Sequence, residues 1–451
     1  MSAAPPAPAE ALAHLRTAEA RDGAPDAARR RALLAALAAG LLARADAFVA
    51  ALDADYEGRS PEETLLAEIM VPLAAARLAR ARLRRWMRPR RVGVPFHFWP
   101  ASAALEAAPK GVIGIMAPWN YPVQLVLMPL VDAIAAGNRV AVKPSEATPR
   151  TAALLAELLA ETLGPDIAQT IQGGPEVAAD FAAQPWDHLV FTGGTAIGRK
   201  VATSAAPGLV PTTLELGGKC PALVLPGANL ARAAQAILAG KVFNAGQTCV
   251  APDTVLLVGH TPAAFEAACR ATGIGLPETA VINAAQLARL DALAAGATLT
   301  PLAADGPGRR RALHLASAPP GHALHQAEIF GPILAVQPCA QLAEALAWVN
   351  ARPAPLAVYL FGASRAEASA IAATTRSGAL VQERCLEYAG MAALPFGGIG
   401  ASGLGRRNAE AGFLEMSNLR ARVAHGRFSL ARLLDPPRSE AARRMVRRIL
   451  R

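Results

Sequence analysis

Two segments have the residue types for covalent chemistry. One is an apolar run closed by a carboxylate, Leu214-Glu215-Leu216-Gly217-Gly218-Lys219, and the other is a turn bearing a thiol, Gly246-Gln247-Thr248-Cys249. A carboxylate at the end of an apolar strand is partly desolvated. Desolvation disfavours the charged form and raises the pKa, which suits a general base working near neutral pH. A thiol that follows a helix and lies among backbone amides can act as a nucleophile. Each residue also has a plain structural reading, since a Cys is more often a small buried hydrophobe than a nucleophile.

Further segments have the chemistry to position or hold a ligand. Pro118-Trp119-Asn120-Tyr121-Pro122 fixes a turn between prolines and leaves the Asn120 amide as a donor for a developing oxyanion. A turn Asn is also commonly structural. Lys143-Pro144-Ser145-Glu146 sets an ammonium and a carboxylate three residues apart, a pair suited to ribose hydroxyls. The same string reads as a helix start capped by Ser145. Phe191-Thr192-Gly193-Gly194-Thr195-Ala196-Ile197-Gly198 passes from strand to helix through glycines, where free backbone N–H groups favour an anion such as pyrophosphate. It departs from G-x-G-x-x-G, so alone it is a weak signal.

Presenting such groups requires strands that end near one another. Residues 32–50 and 61–87 carry Leu, Ala and Ile at three- and four-residue spacing and read as helices, the second opened by Ser60-Pro61-Glu62-Glu63. Helix breakers cluster over 89–109. From 111 onward short apolar runs alternate with Ala-rich helices. The predicted strands are 111–117, 139–143, 167–171, 188–192, 212–216, 222–225 and 254–258, with 356–361 and 378–382 in a second α/β unit. Helices are expected over 122–136, closed by Gly137, and over 229–243. Strands alternating with helices imply a parallel, doubly wound sheet, whose ligands bind at the carboxyl ends of the strands. Residues 259–320 are rich in Ala, Pro and Gly and hard to assign, and 395–405 is expected to be loop.

Composition excludes several function classes. In 451 residues, 53% are apolar and 18% charged, which argues against disorder and for two or three domains. No apolar run is long enough for a transmembrane helix, and the N-terminus lacks the basic start and apolar core of a secretory signal. The net charge of +10 raises nucleic-acid binding. Only five of the 45 cations are Lys, however, the Arg are spread along the chain, and aromatics make up 5%. Nucleic acid is therefore not expected as a partner. The one basic cluster, 438–451, reads as a solvated amphipathic helix or a contact with an acidic surface. The five cysteines, Cys220, Cys249, Cys269, Cys339 and Cys385, are widely spaced and lack C-x-x-C, so neither disulfides nor zinc is expected and a reducing cytoplasm fits best. His322 and His325 have no acidic or thiol partner at ligand spacing.

Taken in order, the segments above resemble the aldehyde dehydrogenase superfamily from about residue 111 to 405. Glu328-Ile329-Phe330-Gly331-Pro332 and Leu394-Pro395-Phe396-Gly397-Gly398 complete the series. The Pro-Trp-Asn-Tyr-Pro turn and Glu63-Thr64-Leu65-Leu66-Ala67-Glu68-Ile69 look like the class 3 branch, and within it the coniferyl-aldehyde group. The resemblance implies a Rossmann-type cofactor domain, a second α/β catalytic domain and a small oligomerisation extension, divided here as 1–245, 246–395 and 396–451. It implies that Cys249 forms a thioester with the aldehyde, with Asn120 holding the oxyanion and Glu215 activating the hydrolytic water. Pro118, Trp119, Lys143, Glu146, Gly193, Gly194, Thr195, Gly198, Gly217, Glu328 and Phe330 would bind the cofactor. NAD is expected, with NADP as the alternative, because Glu146 repels a 2′-phosphate. The implied substrate is an aromatic or medium-chain aldehyde and the implied assembly a homodimer, with no metal and no integral membrane association.

Departures stand beside these matches. Relatives carry Asn-Asp where Glu383-Arg384 stands, a His where Tyr388 stands, and Tyr-His-Gly near Arg406-Arg407-Asn408. The 259–320 stretch is about ten residues short of the usual length. Two alternatives therefore stay open: a CoA-acylating relative, against which Glu215 argues, and a weakly active homologue kept for binding or assembly.

Overall fold

Short Val-, Ile- and Leu-rich runs bounded by Gly and Pro become strands because branched side chains pack well on a pleated, buried surface. The computed structural model describes residues 6–427, 432, 435–437 and 439–449. Its first sheet has the order Gly403–Leu404, Thr212–Leu216, His188–Gly193, Val112–Met116, Arg139–Lys143, Ala168–Thr170. All pairings are parallel except that of the short Gly403–Leu404 strand. The strand order reverses between Val112–Met116 and His188–Gly193, and such a switch opens a crevice at the carboxyl ends of the strands.

Helices cover both faces of this sheet. Ala27–Ala43, Ala45–Tyr56, Val71–Trp86, Gln124–Ala136 and Pro149–Thr162 share one apolar core. Pro8–Asp22, Pro175–Ala183 and Thr195–Ala205 form the other. Gln124–Ala136 is apolar apart from Gln124 and Asp132, and all but its first residue are buried, as expected of a central helix. It stops at Gly137, whose φ of 93° favours glycine and where a Cβ would meet the Arg30 guanidinium at 2.3 Å.

A second sheet has the order Thr298–Pro301, His314–Ser317, Ile333–Cys339, Thr254–Val258, Pro221–Val224, Ala357–Phe361, Ala379–Gln382, and only its first strand is antiparallel. A third, small antiparallel sheet joins Arg90–Val92, Ser102–Pro109 and Ser417–Ala424. The architecture is the α/β one expected, with several local corrections. Pro221–Val224 pairs inside the second sheet, although Thr212–Leu216 just before it belongs to the first. The breaker-rich stretch before 109 contains the strand Ser102–Pro109, whose one proline, Pro109, is its last residue. The predicted helix over 32–50 breaks at Arg44, which separates Ala27–Ala43 from Ala45–Tyr56. The glycine loop of 395–405 contributes Gly403–Leu404 to the first sheet. The unassigned 259–320 stretch holds the helices Pro262–Ala271 and Ala284–Ala294 and two strands of the second sheet. Of the basic tail, Glu440–Ile449 is helical, while 438, 450 and 451 lie outside the described residues. No single helix among the described residues is long and apolar enough to cross a membrane.

Candidate active site

The helix Leu230–Val242 ends at Phe243, and the chain then turns through Asn244 (φ 50°), Ala245 (φ 52°) and Gly246 (φ 71°) to reach Cys249. Consecutive left-handed residues cost of order 1–3 kcal/mol each for a side chain other than Gly, so the surroundings must over-determine the turn. They do. The Gln247 amide donates to the Asn244 and Ala280 carbonyls at 3.0 Å each, and its oxygen accepts from the Ile282 N–H at 2.9 Å. The Asn244 N–H donates to Glu63 at 3.0 Å, and the Asn120 amide donates to the Gln247 carbonyl at 3.0 Å. Tyr121 and Thr248 share a 2.6 Å hydroxyl pair. Asn120 from the first sheet is thereby bonded to the turn that carries Cys249.

The Pro118–Pro122 turn is itself held from below. The Asn120 carbonyl accepts from the Tyr56 hydroxyl, the Arg59 guanidinium and the Asn244 amide. Arg59 is paired at 3.0 Å with Glu68, and both side chains are fully buried. Glu68 also accepts from the Val123 and Gln124 N–H groups at 3.0 and 2.7 Å, which anchors the start of the helix Gln124–Ala136. It rides on a π-helical segment, Leu65–Met70, of the kind that often marks functional sites. Burial pushes its carboxyl up to about 7, against the pull of Arg59 and both N–H groups. The pair therefore gives geometry more than stability. Glu68→Leu should cost about 3–5 kcal/mol in denaturant unfolding, because Arg59 is left buried and unpaired. The double variant Arg59→Met/Glu68→Leu should cost less than Glu68→Leu alone.

Cys249 is half-buried at a cavity of about 550 Å³. The walls are mostly apolar and include Leu66, Met70, Leu125, Met128, Phe243 and Phe396, with Arg407 among the few charges. Burial pushes the thiol up to about 12; Glu328 adds to the rise, Arg407 opposes it, and Glu215 adds again. Glu215 ends its strand 3% exposed, and neither carboxyl oxygen has a hydrogen-bond partner among the described residues. Burial raises this carboxyl to about 7, opposed by Arg407 and Arg406. An uncommitted carboxylate poised near neutrality can take a proton from water.

The expected cofactor residues divide into two groups. Gly217 lies against Glu328 and Trp119 against Phe330, and Glu328 acts electrostatically on the Cys249 thiol. A Cβ on Gly217 would come 2.0 Å from Glu328 Oε2, and the Trp119 and Phe330 rings meet edge to face at 5.5 Å. Glu328 Oε1 is buried without a hydrogen-bond partner among the described residues, and burial lifts this carboxyl to about 8, with Asp253 raising it further. Asp253 pins the same loop: it accepts from the Ile329 N–H at 2.8 Å and pairs with Lys219. The second group lies at the ends of the first sheet's strands. Lys143, 3% exposed, donates to the half-exposed Glu146 at 3.2 Å. The helix Thr195–Ala205 starts at Gly194 with no side-chain cap, and Gly198 packs so closely that a Cβ would meet Leu216 at 2.4 Å. An open helix start, a ribose-sized polar pair and an orphaned buried carboxyl in a glycine cradle fit a dinucleotide.

Two site residues carried no individual sequence signal. Arg59 and Asn244 look like ordinary polar residues, whereas Glu63 and Gln247 stand in strings singled out above but with no role given to them; all four shape the Cys249 turn. Among the departures, Glu383 bonds the Gly362 N–H at 2.8 Å. Arg384 pairs with Glu387, and the Tyr388 ring stacks on Phe396 at 6.0 Å. Asn408 N–H donates to Asp132 at 2.9 Å. These four are absorbed by local packing, whereas Arg407 faces Glu215 at 3.7 Å.

The sequence model of the aldehyde dehydrogenase family matches residues 8–421. A probable coniferyl aldehyde dehydrogenase of Pseudomonas aeruginosa is 42% identical over 436 residues, covering 94% of this chain and 92% of the relative. A coniferyl aldehyde dehydrogenase of another Pseudomonas strain is 38% identical, covering 90% and 89%. Among solved structures, the substrate-bound state of Staphylococcus aureus AldH superimposes with a TM-score of 0.92 at 28% identity, covering 98% of this chain and 99% of that one.

Proposed function

Because this chain belongs to the aldehyde dehydrogenase family and is an NAD(P)-dependent enzyme, we propose that it oxidises an aromatic aldehyde of the coniferyl type, or a medium-chain one, to the carboxylate through a thioester on Cys249. The Cys249 thiolate attacks the aldehyde carbon, and a C–S bond forms as the carbonyl oxygen becomes an oxyanion. The Asn120 amide, one N–H of which is engaged by Gln247, has its second N–H for that oxygen, alongside the Cys249 backbone N–H. The bound nicotinamide supplies the hydride acceptor. Glu215 then takes a proton from water whose oxygen attacks the thioester. The C–S bond breaks, and the sulfur leaves as thiolate with the acid as product. The observation that carries this reading is the pair of buried, unpartnered Glu215 oxygens near the Cys249 cavity. It favours hydrolysis over transfer to CoA, which needs no such base. NADH formation across a panel of aromatic and aliphatic aldehydes tests it, and a wild type inactive on both classes would refute it.

The cofactor reading assigns the adenosine ribose to Lys143 and Glu146, and the pyrophosphate to the Gly193-Gly194-Thr195 turn and Gly198. The nicotinamide end falls to Glu328, Phe330, Gly217, Pro118 and Trp119. NAD is preferred because Glu146 would face a 2′-phosphate with like charge. Glu146→Ser should raise kcat/KM for NADP relative to NAD by about tenfold or more. A wild type using NADP at least as efficiently as NAD would refute the preference.

The reading includes a homodimer in a reducing cytoplasm. Exposed Phe96, Trp99, Leu419 and Val423 on and beside the small antiparallel sheet support an interface, and a working Cys249 thiol needs a reducing compartment. It also divides the chain by sheet membership, so that 221–242 go with the unit bearing Cys249.

A further inference from the structure

We propose that Arg407 is a positioning residue for Glu215, docking the carboxylate in its charged form between turnovers. This rests on the reading of Glu215 as the hydrolytic base. The geometry is that of two unsatisfied groups held face to face. Arg407 is 4% exposed, and its Nε is buried without a hydrogen-bond partner among the described residues. That Nε lies 3.7 Å from Glu215 Oε1, which is equally unpartnered. The separation is slightly longer than a hydrogen bond, so a small side-chain rotation closes it into a charge-assisted contact and the reverse rotation frees the carboxylate.

Both partners sit on backbone that is bonded together. Gly403 pairs with Glu215 in the first sheet, and the Leu216 N–H donates to the Ser402 carbonyl at 3.1 Å. The loop then returns to Arg407, whose N–H and carbonyl each bond Phe396 at 2.9 Å. The Arg407 guanidinium lies over the Phe396 ring, 4.6 Å from its centroid, in a cation–π contact. The main-chain bonds fix the Arg407 backbone and the ring contact orients its guanidinium, whereas the Glu215 carboxylate has no hydrogen bond among the described residues to lose on moving.

The charge balance around Glu215 makes Arg407 the deciding neighbour. Arg407 and Arg406 come from the glycine loop, Glu415 from the helix Ala409–Glu415, and the Cys249 thiol and Tyr388 hydroxyl from the catalytic unit. Arg406 donates through Nη1 to the Gly398 and Gly405 carbonyls, and Glu415 accepts from the Thr213 hydroxyl at 2.8 Å. Among the described residues, Arg407 is the cation that comes within 4 Å of a Glu215 carboxyl oxygen.

The test follows NADH release after rapid mixing with NAD and an aromatic aldehyde, for Arg407→Met, Arg407→Lys and Glu215→Gln across pH. Arg407→Met should keep the first-turnover burst and lose about tenfold in steady-state turnover at neutral pH. Its acid limb should move to higher pH by about one unit, because removing a nearby cation makes the carboxylate harder to form. Arg407→Lys keeps the charge, so its limb should stay near that of the wild type, and it gives a readout should the Met variant fold poorly. Limbs unmoved in both variants would overturn the proposal, as would a loss confined to KM for the aldehyde. If Glu215→Gln turns over like the wild type, the reading of Glu215 itself fails. A Glu215→Gln stall with unchanged Arg407 variants sinks only the role of Arg407.

Discussion

Cys249→Ala should abolish aldehyde-dependent NADH formation, with a fall of at least about ten-thousandfold, since loss of a nucleophile that forms the covalent intermediate leaves only binding effects. Two structural facts make the expected loss so complete. The thiol is half-buried at the cavity, so trimming it to a methyl removes one sulfur and little packing. The turn is held by Gln247, Asn244 and Asn120 through backbone carbonyls and amides, none of which needs the sulfur. The variant should therefore fold, bind NAD and remain inert. No neighbouring thiol is placed to take over. Cys220 is fully buried, and its Sγ is engaged 3.4 Å from the Cys249 carbonyl. Cys385 lines the same cavity, but it is 5% exposed and lies on a different loop from the turn bonded to Asn120. Activity retained within about tenfold of wild type would rule out the thioester route.

The sheets were legible in the sequence because their strands are buried on both faces and so read as uninterrupted apolar runs. Arg139–Lys143, Thr212–Leu216 and Thr254–Val258 have the boundaries that the pattern predicts. The strands that escaped notice lack that signature. Ser102–Pro109 and Ser417–Ala424 are largely exposed or half-exposed in a small antiparallel sheet, so no apolar run announces them. Gly403–Leu404 is a two-residue edge strand inside a glycine-dense loop, where composition correctly suggested loop but could not show the pairing with Glu215. The passage from one sheet to the other escaped notice for a related reason. Pro221–Val224 follows Thr212–Leu216 so closely in sequence that nothing local shows the chain passing from one sheet to the other.

The site divides similarly. Cys249, Glu215, Asn120 and Glu328 stand in ordered motifs, and order is a sequence property. What brings them to bear is not. Glu68 and Glu63 stand in a string that resembles the family but that says nothing of their contacts, yet one anchors the Asn120 turn and the other accepts from the Asn244 N–H. Arg407 was visible only as a residue out of pattern. Its meaning depends on a 3.7 Å approach across the sheet edge, which follows from the Gly403 pairing that the sequence did not disclose. Residues whose roles are set by non-local contacts carry no periodicity or spacing to announce them.

Glu215→Gln should convert the enzyme from a catalyst into a single-turnover reagent. Gln has nearly the shape of Glu, and because neither carboxyl oxygen is hydrogen-bonded among the described residues, the exchange breaks no bond that the fold uses. Attack by Cys249 and hydride loss do not require a base at this position, so one equivalent of NADH should appear in a burst. Hydrolysis does require it, and an amide cannot accept the water's proton, so steady-state turnover should fall by about 10²–10⁴-fold. The acyl-enzyme should then accumulate and add the acyl mass to the protein. The pH dependence gives an independent check. Burial lifts the Glu215 carboxyl to about 7, so in the wild type the active carboxylate form is populated above that value and lost as the pH falls through it. Steady-state turnover should therefore rise through neutrality in the wild type and lose that limb in Glu215→Gln, while the burst survives in both. A variant that turns over within a few-fold of wild type and keeps the limb would place the base elsewhere. A variant with neither burst nor turnover would instead tie Glu215 to activation of the Cys249 thiol, whose pKa burial pushes up to about 12 and which must lose its proton before it can attack.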